Sequence, residues 1–534
     1  LIPDDTAYIA NLVAEVPKDR IVREIAGVWD RIVLDRFRMS ASEVEAAARH
    51  GLTIGVDLGG EGREYCEYLV DILPRLDRSA PNLSEPGFLA LPAPRAEEPS
   101  DEVGRILVTF GGEDPARLSE STARHLAGMG LARRVTVVAP SMRPLGTMPE
   151  GVDVLDPVPS LEHLLREAAV VVTSFGMTAY EASAIGVPTI TIAPTPYHDR
   201  LARRAGFVRA GVRRASRRAL VRLFRTGGLP GRGSGLPTQR RSLSEWIDAL
   251  PAPEHRGCPA HPSRHGPAVW RSGEKSYFRC PVCGIRYLER FASDTEAYEA
   301  SYFMEEYRAQ YGRTYLEDFD FIYSMGKRRI ATAASLLRSK GERPRVLDIG
   351  CAYGPFLAAA RDAGYDPYGI DIACEAVGYV QNTLGITAVC GDIAQTDIRD
   401  ALGTSRFHIV TLWYVIEHVT ELDRLLVELA RLVPPGGVLA FSTPHGAGVS
   451  ARRSTDAFYA ASPRDHHTIW DRPSARRVLR EYGFRVKRFV VTGHHPERYP
   501  RVRTGGMPHS LARVHSRIFG WGDTFEVYAV REER

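Results

Sequence analysis

The amino-acid sequence predicts an α/β protein: two regions of alternating strand and helix, with a small Cys/His-rich module between them. Three observations predict it. Short apolar runs alternate with helical periodicity across residues 103–208 and again across 326–534, the pattern of βαβ units around a parallel sheet. Each region carries a Gly-containing turn between an apolar run and a helix, where the backbone must bend tightly. Two Cys-x-x pairs, at 258–261 and 280–283, stand between the regions.

The chain has 534 residues, enough for three or four domains at about 150 residues each. Hydrophobic residues are 44% and charged residues 25%. That composition is ordinary for a globular protein and excludes a disordered, collagen-like or membrane-embedded one. No apolar run approaches the roughly 20 residues that span a bilayer, and no transmembrane segment is expected. The start, Leu1-Ile-Pro-Asp-Asp, lacks the charged and then apolar stretch of a signal peptide. It also lacks Met, as expected of a piece of a longer chain. Seven Cys, three of them between 258 and 283, point to a metal in a reducing cytoplasm and not to a disulfide scaffold. The net charge of +4 argues neither for nor against nucleic acid, which is not among the expected partners. Five Lys against 64 Arg is a global skew, so no single Arg is read as a phosphate contact.

Five segments follow. Residues 1–95 hold strands at 31–35 and 52–57 with a helix at 41–50 between them, and 86–99 read as a linker. Residues 96–208 give strands at 105–110, 135–139, 170–174 and 188–192, and helices at 116–129, 160–168, 177–185 and 197–206. Residues 209–253 form an Arg-rich linker. The stretch 200–244 has 13 Arg and no Asp or Glu, which reads as a solvated helix and flexible linker, with a polyanion or acidic-lipid contact as the sharper alternative. Residues 254–325 hold the Cys/His module and an aromatic helical segment. Residues 326–534 give strands at 345–349, 366–371, 387–390, 407–413 and 437–443, with helices at 354–363, 373–384, 420–433 and 473–483. The last strands, 484–491 and 524–530, have only the basic loop 498–520 between them and are expected to pair as an antiparallel hairpin.

The strongest chemistry lies in Val346-Leu-Asp-Ile-Gly-Cys-Ala-Tyr-Gly354. A buried strand runs into a turn in which Gly350 lets the backbone approach a ligand, and Gly354 allows close helix–strand packing. The next strand ends at Asp371, placed to accept the two ribose hydroxyls of an adenosine. The third ends at Asp392, which can accept an adenine amino group. The fourth runs into Tyr414-Val-Ile-Glu-His-Val419, and Pro434-Pro-Gly-Gly437 turns into the fifth. An incomplete G-x-G-x-x-G disfavours an NAD-binding domain.

Residues 345–491 resemble a class I S-adenosylmethionine-dependent methyltransferase, nearest to the ubiquinone-biosynthesis O-methyltransferases and related enzymes of glycan gene clusters. The resemblance implies that Asp348, Gly350 and Gly354 surround the methionine part of the cofactor. Asp371 would bind the ribose and Asp392 the adenine, and Ile393 would flank the adenine ring. Ala352 stands where the family has Gly. Methyl transfer needs alignment of the nucleophile and a proton acceptor, and His is the usual base near pH 7. Candidates are His418, His445, His466 and His467. The segment Asp465-His-His-Thr-Ile-Trp470 occupies the place where related enzymes turn a His toward the substrate. Glu417 is a further candidate for metal, substrate or capping contacts.

Cys258-Pro-Ala-His261 and Cys280-Pro-Val-Cys283 can each close a knuckle on tetrahedral zinc, giving a structural Cys3His site of Cys258, His261, Cys280 and Cys283. His255 and His265 are competing donors. The aromatic segment Tyr298–Tyr323, with Tyr302, Phe303, Tyr307, Tyr311 and Tyr315, reads as a substrate lid or as a plain core stripe.

In the amino-terminal half, Thr109-Phe-Gly-Gly-Glu-Asp-Pro115 and Thr173-Ser-Phe-Gly-Met-Thr-Ala-Tyr-Glu181 each follow a strand and open a helix. Amides near Gly176–Thr178 suit a diphosphate, and Glu181 suits ribose hydroxyls. These residues resemble the nucleotide-binding domain of GT-B glycosyltransferases, nearest to the UDP-sugar hydrolase of pseudaminic acid synthesis and the N-acetylglucosaminyltransferase of peptidoglycan synthesis. The resemblance implies that Gly111, Gly112, Gly176, Thr178, Glu181 and His198 contact a nucleotide sugar. His198-Asp199 replaces the family's His-Gln pair, and the family's amino-terminal Gly-rich loop is absent. The fold class expected is therefore two Rossmann-like regions, a GT-B-like nucleotide-binding half and a class I methyltransferase sheet, joined by a small zinc-binding module. The function expected is methyl transfer to a sugar nucleotide or surface-glycan intermediate. The alternatives are a small-aromatic or quinone O-methyltransferase with a vestigial first half, and a non-enzymatic nucleotide-binding scaffold.

Overall fold

The computed structural model describes residues 25–36, 38–77, 79–95, 104–225, 241–292, 308, 312–338, 343–393, 395–499 and 507–533. The described strands form four sheets. The first is parallel and ordered as in sequence: β1 (Arg31–Asp35), β2 (Leu52–Val56), β3 (Tyr68–Asp71) and β4 (Leu83–Ser84). The last two were not expected from the sequence; β4, with two residues, is too short to show a period.

The second sheet holds β5 (Ile106–Val108), β6 (Val135–Val138), β7 (Asp153–Leu155), β8 (Val170–Thr173), β9 (Thr189–Ala193) and β10 (Val208–Val212). Its order is β10-β9-β8-β5-β6-β7, all parallel. Runs such as Val170-Val-Val-Thr173 are buried throughout, as central parallel strands covered on both faces must be. The chain moves outward from β5 to β7 and then returns to the other side of β5. The order therefore reverses between β5 and β8, and the crevice at their carboxyl ends is where such sheets take ligands.

β11 (Ala268–Arg271), β12 (Lys275–Arg279) and β13 (Arg286–Arg290) form an antiparallel meander. The fourth sheet comprises β14 (Arg345–Ile349), β15 (Asp366–Asp371), β16 (Thr387–Cys390), β17 (Ile409–Trp413) and β18 (Val438–Pro444). After β19 (Thr468–Ile469) it is completed by β20 (Phe484–Thr492) and β21 (Thr524–Arg531). The order is β16-β15-β14-β17-β18-β21-β20, reversing between β14 and β17. β21 is antiparallel to both β18 and β20. The antiparallel pair is present, with β21 inserted between β18 and β20. The intervening segment is not all loop: a helix spans His509–Phe519 and ends on Gly520 in the left-handed region. Leu511, Val514 and Ile518 have helical spacing that the surrounding Arg residues obscured in the sequence.

β19 belongs to the third sheet. It leaves the carboxyl-terminal region and pairs antiparallel with β13, Arg286 opposite Ile469 and Tyr287 opposite Thr468. The cores are continuous as well: Cys258, Cys280, Cys283, Phe278 and Tyr287 pack in one cluster with Leu425, Leu429, Trp470 and Val478. On its other side the module meets the first sheet. Buried Arg271 donates to the carbonyls of Arg63, Glu64 and Cys66, and Asn82 donates to Ser272 O and Ser276 Oγ. The first sheet also packs on the second through Val56, Tyr68, Tyr180 and Leu201.

Cys374 and Cys390 are joined as a disulfide, a pairing that the sequence reading, which weighed the Cys residues for metal, did not anticipate. Among the described residues no helix is long and apolar enough to cross a membrane. Tyr298, Tyr302, Phe303, Tyr307 and Tyr311, and residues 226–240 of the Arg-rich stretch, lie outside the described residues.

Candidate functional site

The turn after β14 is shaped by backbone geometry. Gly350 has φ +72°, and a Cβ there would collide with Val415 on the neighbouring loop. Gly354 has φ +76° and opens the helix Pro355–Asp362; a Cβ there would lie 2.9 Å from Leu384 and Val380. Ala352 has φ +45°, a left-handed conformation that strains a residue with a side chain. A glycine at this place would carry no such strain.

Asp371, at the end of β15, holds this turn. Its Oδ2 accepts from Ala352 N at 2.7 Å and its Oδ1 from Ala373 N at 2.8 Å. Each oxygen keeps a second lone pair for a ligand hydroxyl. Burial raises its pKa against the pull of those amides. Gly391 N donates to Asp371 O, which brings the ends of β15 and β16 together. Asp392 is exposed just beyond, and Ile393 packs half-buried against the core. Asp348 differs from the other two carboxyls. It is buried within the sheet, Thr411 Oγ1 donates to it at 2.5 Å, and burial raises its pKa well above the usual range.

Across the order reversal, β17 delivers Tyr414 and the 3-10 turn Ile416–His418. Tyr414 has φ +59°, an uncommon backbone for a bulky residue and one that concentrates at functional sites. Its N–H donates to Ser442 O and Oγ. Ala352 and Tyr414, both at positive φ, follow the neighbouring strands β14 and β17. His418 Nδ1 lies 2.9 Å from Asp465 Oδ2. Its ring meets His466 edge-on at 4.7 Å. The carboxylate raises the His418 pKa against desolvation. Desolvation pushes His466 down to about 3 and His467 to about 4, and it pushes buried Glu417 up to about 7. Ligand atoms of Glu417, His418 and His466 lie within 4.8 Å of one another. That spacing alone does not define a metal site, and Asp465 already engages His418 Nδ1. His445 is apart from this group: it is buried against Phe525, and its Nδ1 meets Gly522 O at 3.0 Å. Asp465 was not among the candidates read from the sequence, although it stands there as a carboxylate beside two histidines.

The four residues Cys258, His261, Cys280 and Cys283 converge, with ligand atoms within 4.8 Å of one another. Cys258 Sγ lies 3.8 Å from Cys283 Sγ and 3.8 Å from His261 Nδ1, and Cys280 Sγ lies 3.7 Å from that same nitrogen. A tetrahedron with metal–sulfur bonds of about 2.3 Å has edges of about 3.8 Å, so the donor set fits zinc. His261 Nε2 lies 2.8 Å from Glu481 Oε2, the carboxylate hold that orients metal-binding imidazoles. Arg477 Nε donates to Cys283 O. His255 is not in this cluster. His265 lies in a separate one with Glu67 and Glu289, where burial lowers it to about 4.

In the second sheet, Gly111 and Gly112 follow β5, and Gly176 and Thr178 follow β8, so the two motifs flank the order reversal. Gly176 leaves open space where a Cβ would stand, and the helix Met177–Ile185 begins there. Half-buried Glu181 has a pKa raised by desolvation. His198 Nδ1 meets Thr195 Oγ1 at 2.8 Å, and Asp199 pairs with Arg209. Met177 is exposed and Thr178 half-buried.

Residues 321–488 match the family model of a methyltransferase domain. This methyltransferase domain also has curated relatives. A ubiquinone biosynthesis O-methyltransferase of Rhodopseudomonas palustris is 35% identical over 104 residues, which is 18% of this chain and 39% of the relative. One from Coxiella burnetii is 34% identical over 103 residues, 18% of this chain and 42% of the relative. The chain thus spans about two fifths of the length of these relatives. A solved S-adenosylmethionine-dependent methyltransferase from Archaeoglobus fulgidus covers 41% of this chain and 99% of its own, at 18% identity and TM-score 0.31.

Proposed function

We propose that the chain is an S-adenosylmethionine-dependent methyltransferase acting on a sugar nucleotide or surface-glycan intermediate, with a structural zinc in the Cys3His module. One observation carries the methyl-transfer reading: the Gly350–Gly354 turn held by Asp371 opposes Tyr414–His418 across the order reversal of the fourth sheet. In this reading Asp371 takes the ribose hydroxyls, Asp392 the adenine amino group and Ile393 the adenine face. Gly350 lets the turn pack against Val415 and Gly354 lets its helix pack closely, which would shape the place for the methionine part, and buried Asp348 supports the strand below. S-adenosylmethionine supplies a methyl group on a positively charged sulfur, already a good electrophile. His418 would take the proton of the acceptor and pass it on to water. Its partner Asp465 and its position after β17 favour it over His445, which is bound to a backbone carbonyl, and over His466 and His467, which are held neutral. Zinc would tie the two knuckles and thereby brace β11–β13.

For the second sheet, Gly111, Gly112, Gly176 and Thr178 would surround a diphosphate, Glu181 a ribose, and His198 the adjoining sugar. Joining both halves in one chain supports a shared sugar-nucleotide substrate. A cytoplasmic setting goes with that reading. The test is calorimetric titration of the full chain with S-adenosylhomocysteine and, separately, with a UDP-sugar. Micromolar binding of the first, abolished by Asp371→Ala, is expected. Failure of wild type to bind it would leave a scaffold. Failure of the UDP-sugar alone would remove the sugar-nucleotide substrate.

The names of the relatives favour a second reading, methylation of a small phenol or quinone. Turnover of a catechol in preference to a sugar nucleotide would establish it.

A further inference from the structure

The segment carrying Asp465 is held by the third sheet at both ends. Before it, Lys275 Nζ on β12 donates to Ala460 O and Ser462 O. After it, Leu288 N on β13 donates to His467 O at 3.0 Å, and β19 pairs with β13. Between these anchors the chain turns, His467 N donating to Asp465 O, and presents the Asp465 carboxylate to His418 at 2.9 Å. β13 in turn follows directly from Cys280–Cys283, whose Cys280 N donates to Ile285 O and whose Gly284 N donates to Cys280 O. The Cys3His module and the imidazole after β17 are therefore linked by one short, hydrogen-bonded route.

We propose that Asp465 is a positioning residue for His418, and that the metal-module sheet acts on the acceptor side of the site by fixing Asp465 in place. The inference rests on the reading of His418 as the proton acceptor. An Asp465 carboxylate at Nδ1 keeps the proton on that nitrogen and leaves Nε2 as the lone-pair face of the ring. It also stabilises the imidazolium formed when Nε2 takes the acceptor's proton, which then passes to solvent. Every charged group around His418 bears on this. Glu417 lies on its own turn and favours the charged ring, as does Asp465. His466 and His467 follow Asp465, with Lys275 near the former and His255 and Arg290 near the latter. Of all these, only Asp465 has a carboxylate oxygen at hydrogen-bond distance from Nδ1.

The test needs no acceptor. Diethylpyrocarbonate acylates neutral imidazole, so the rate of His418 modification in the full chain, read by peptide mass spectrometry against pH, reports its titration. Asp465→Asn should move the midpoint for His418 down by about one pH unit or more, and Asp465→Glu should restore most of it. Asp465→Ser is the second variant should the amide disturb folding, and its midpoint should fall likewise. Chelation of the module's metal in wild type should move the midpoint in the same direction. An unchanged midpoint in folded Asp465→Asn and Asp465→Ser overturns the proposal. Titration with S-adenosylhomocysteine runs in parallel. If wild type does not bind it while the midpoint shifts, the methyl-transfer reading fails and the Asp465–His418 coupling stands. If it binds and the midpoint does not move, the coupling alone fails.

Discussion

The backbone N–H of Ala352 donates to Asp371 Oδ2 at 2.7 Å, so the turn after β14 and the carboxylate ending β15 form one unit. The turn reaches that carboxylate only by holding Ala352 at φ +45°.

Ala352→Gly should relieve this strain. Glycine adopts positive φ freely, while its greater freedom in the unfolded chain offsets part of the gain, so stability should rise by up to about 1 kcal/mol. Urea unfolding would measure it, with S-adenosylhomocysteine affinity retained or improved. A variant that unfolds more easily would show that Ala352 is not strained.

Gly350→Ala should do the opposite. It places a Cβ at φ +72° and into Val415, a loss of about 2 kcal/mol or more together with loss of cofactor-analogue binding. Adding Val415→Ala should recover the collision part but not the backbone part. Full recovery in the double variant would mean that positive φ is of no consequence here.

The purified protein should hold one zinc per Cys3His cluster. Cys280→Ser should lose it and melt at lower temperature, because β11–β13 and the shared core with Leu425 and Val478 depend on the knuckles. Glu481→Gln should weaken zinc affinity about tenfold by freeing the His261 ring. Atomic absorption and a chelator competition read both. Zinc-free protein of unchanged melting temperature would end the structural-zinc assignment.

His265 gives a pH dependence of known sign. Its folded pKa, about 4, lies below the ordinary value of about 6.5. As pH falls below 6.5 the unfolded chain takes the proton first, and wild type loses up to about 1.4 kcal/mol per pH unit until about pH 4. His265→Gln carries no such loss. Its destabilisation relative to wild type should therefore shrink between pH 7 and pH 5, as read by paired urea titrations. A constant difference would mean that His265 takes up its proton at the same pH in the folded and the unfolded protein.

Much of the α/β core was legible. Strands such as Val170–Thr173 and Val346–Ile349 are largely apolar runs that lead into a Gly-containing turn, and such runs with turn residues are local signals. The Cys and His spacing of the module was likewise local, since each knuckle closes within four residues. β4 and β19 were not legible because two residues show no period, and β3 was not expected either. The helix His509–Phe519 was hidden because its polar face carries the same Arg excess as the loops around it.

By itself, then, the sequence determined the elements whose cause is local: apolar periodicity, glycine turns and metal-knuckle spacing. It also put Asp371 and Asp392 at strand ends, because strand length places a residue whatever the strand pairs with. Only the tertiary structure decided which strand ends meet. The order reversals between β5 and β8 and between β14 and β17 depend on pairing across dozens of residues. So do the insertion of β21 and the transfer of β19 to the module's sheet. For that reason Asp465, 47 positions after His418 in the chain, became its nearest carboxylate partner only when β13 captured the segment that follows it.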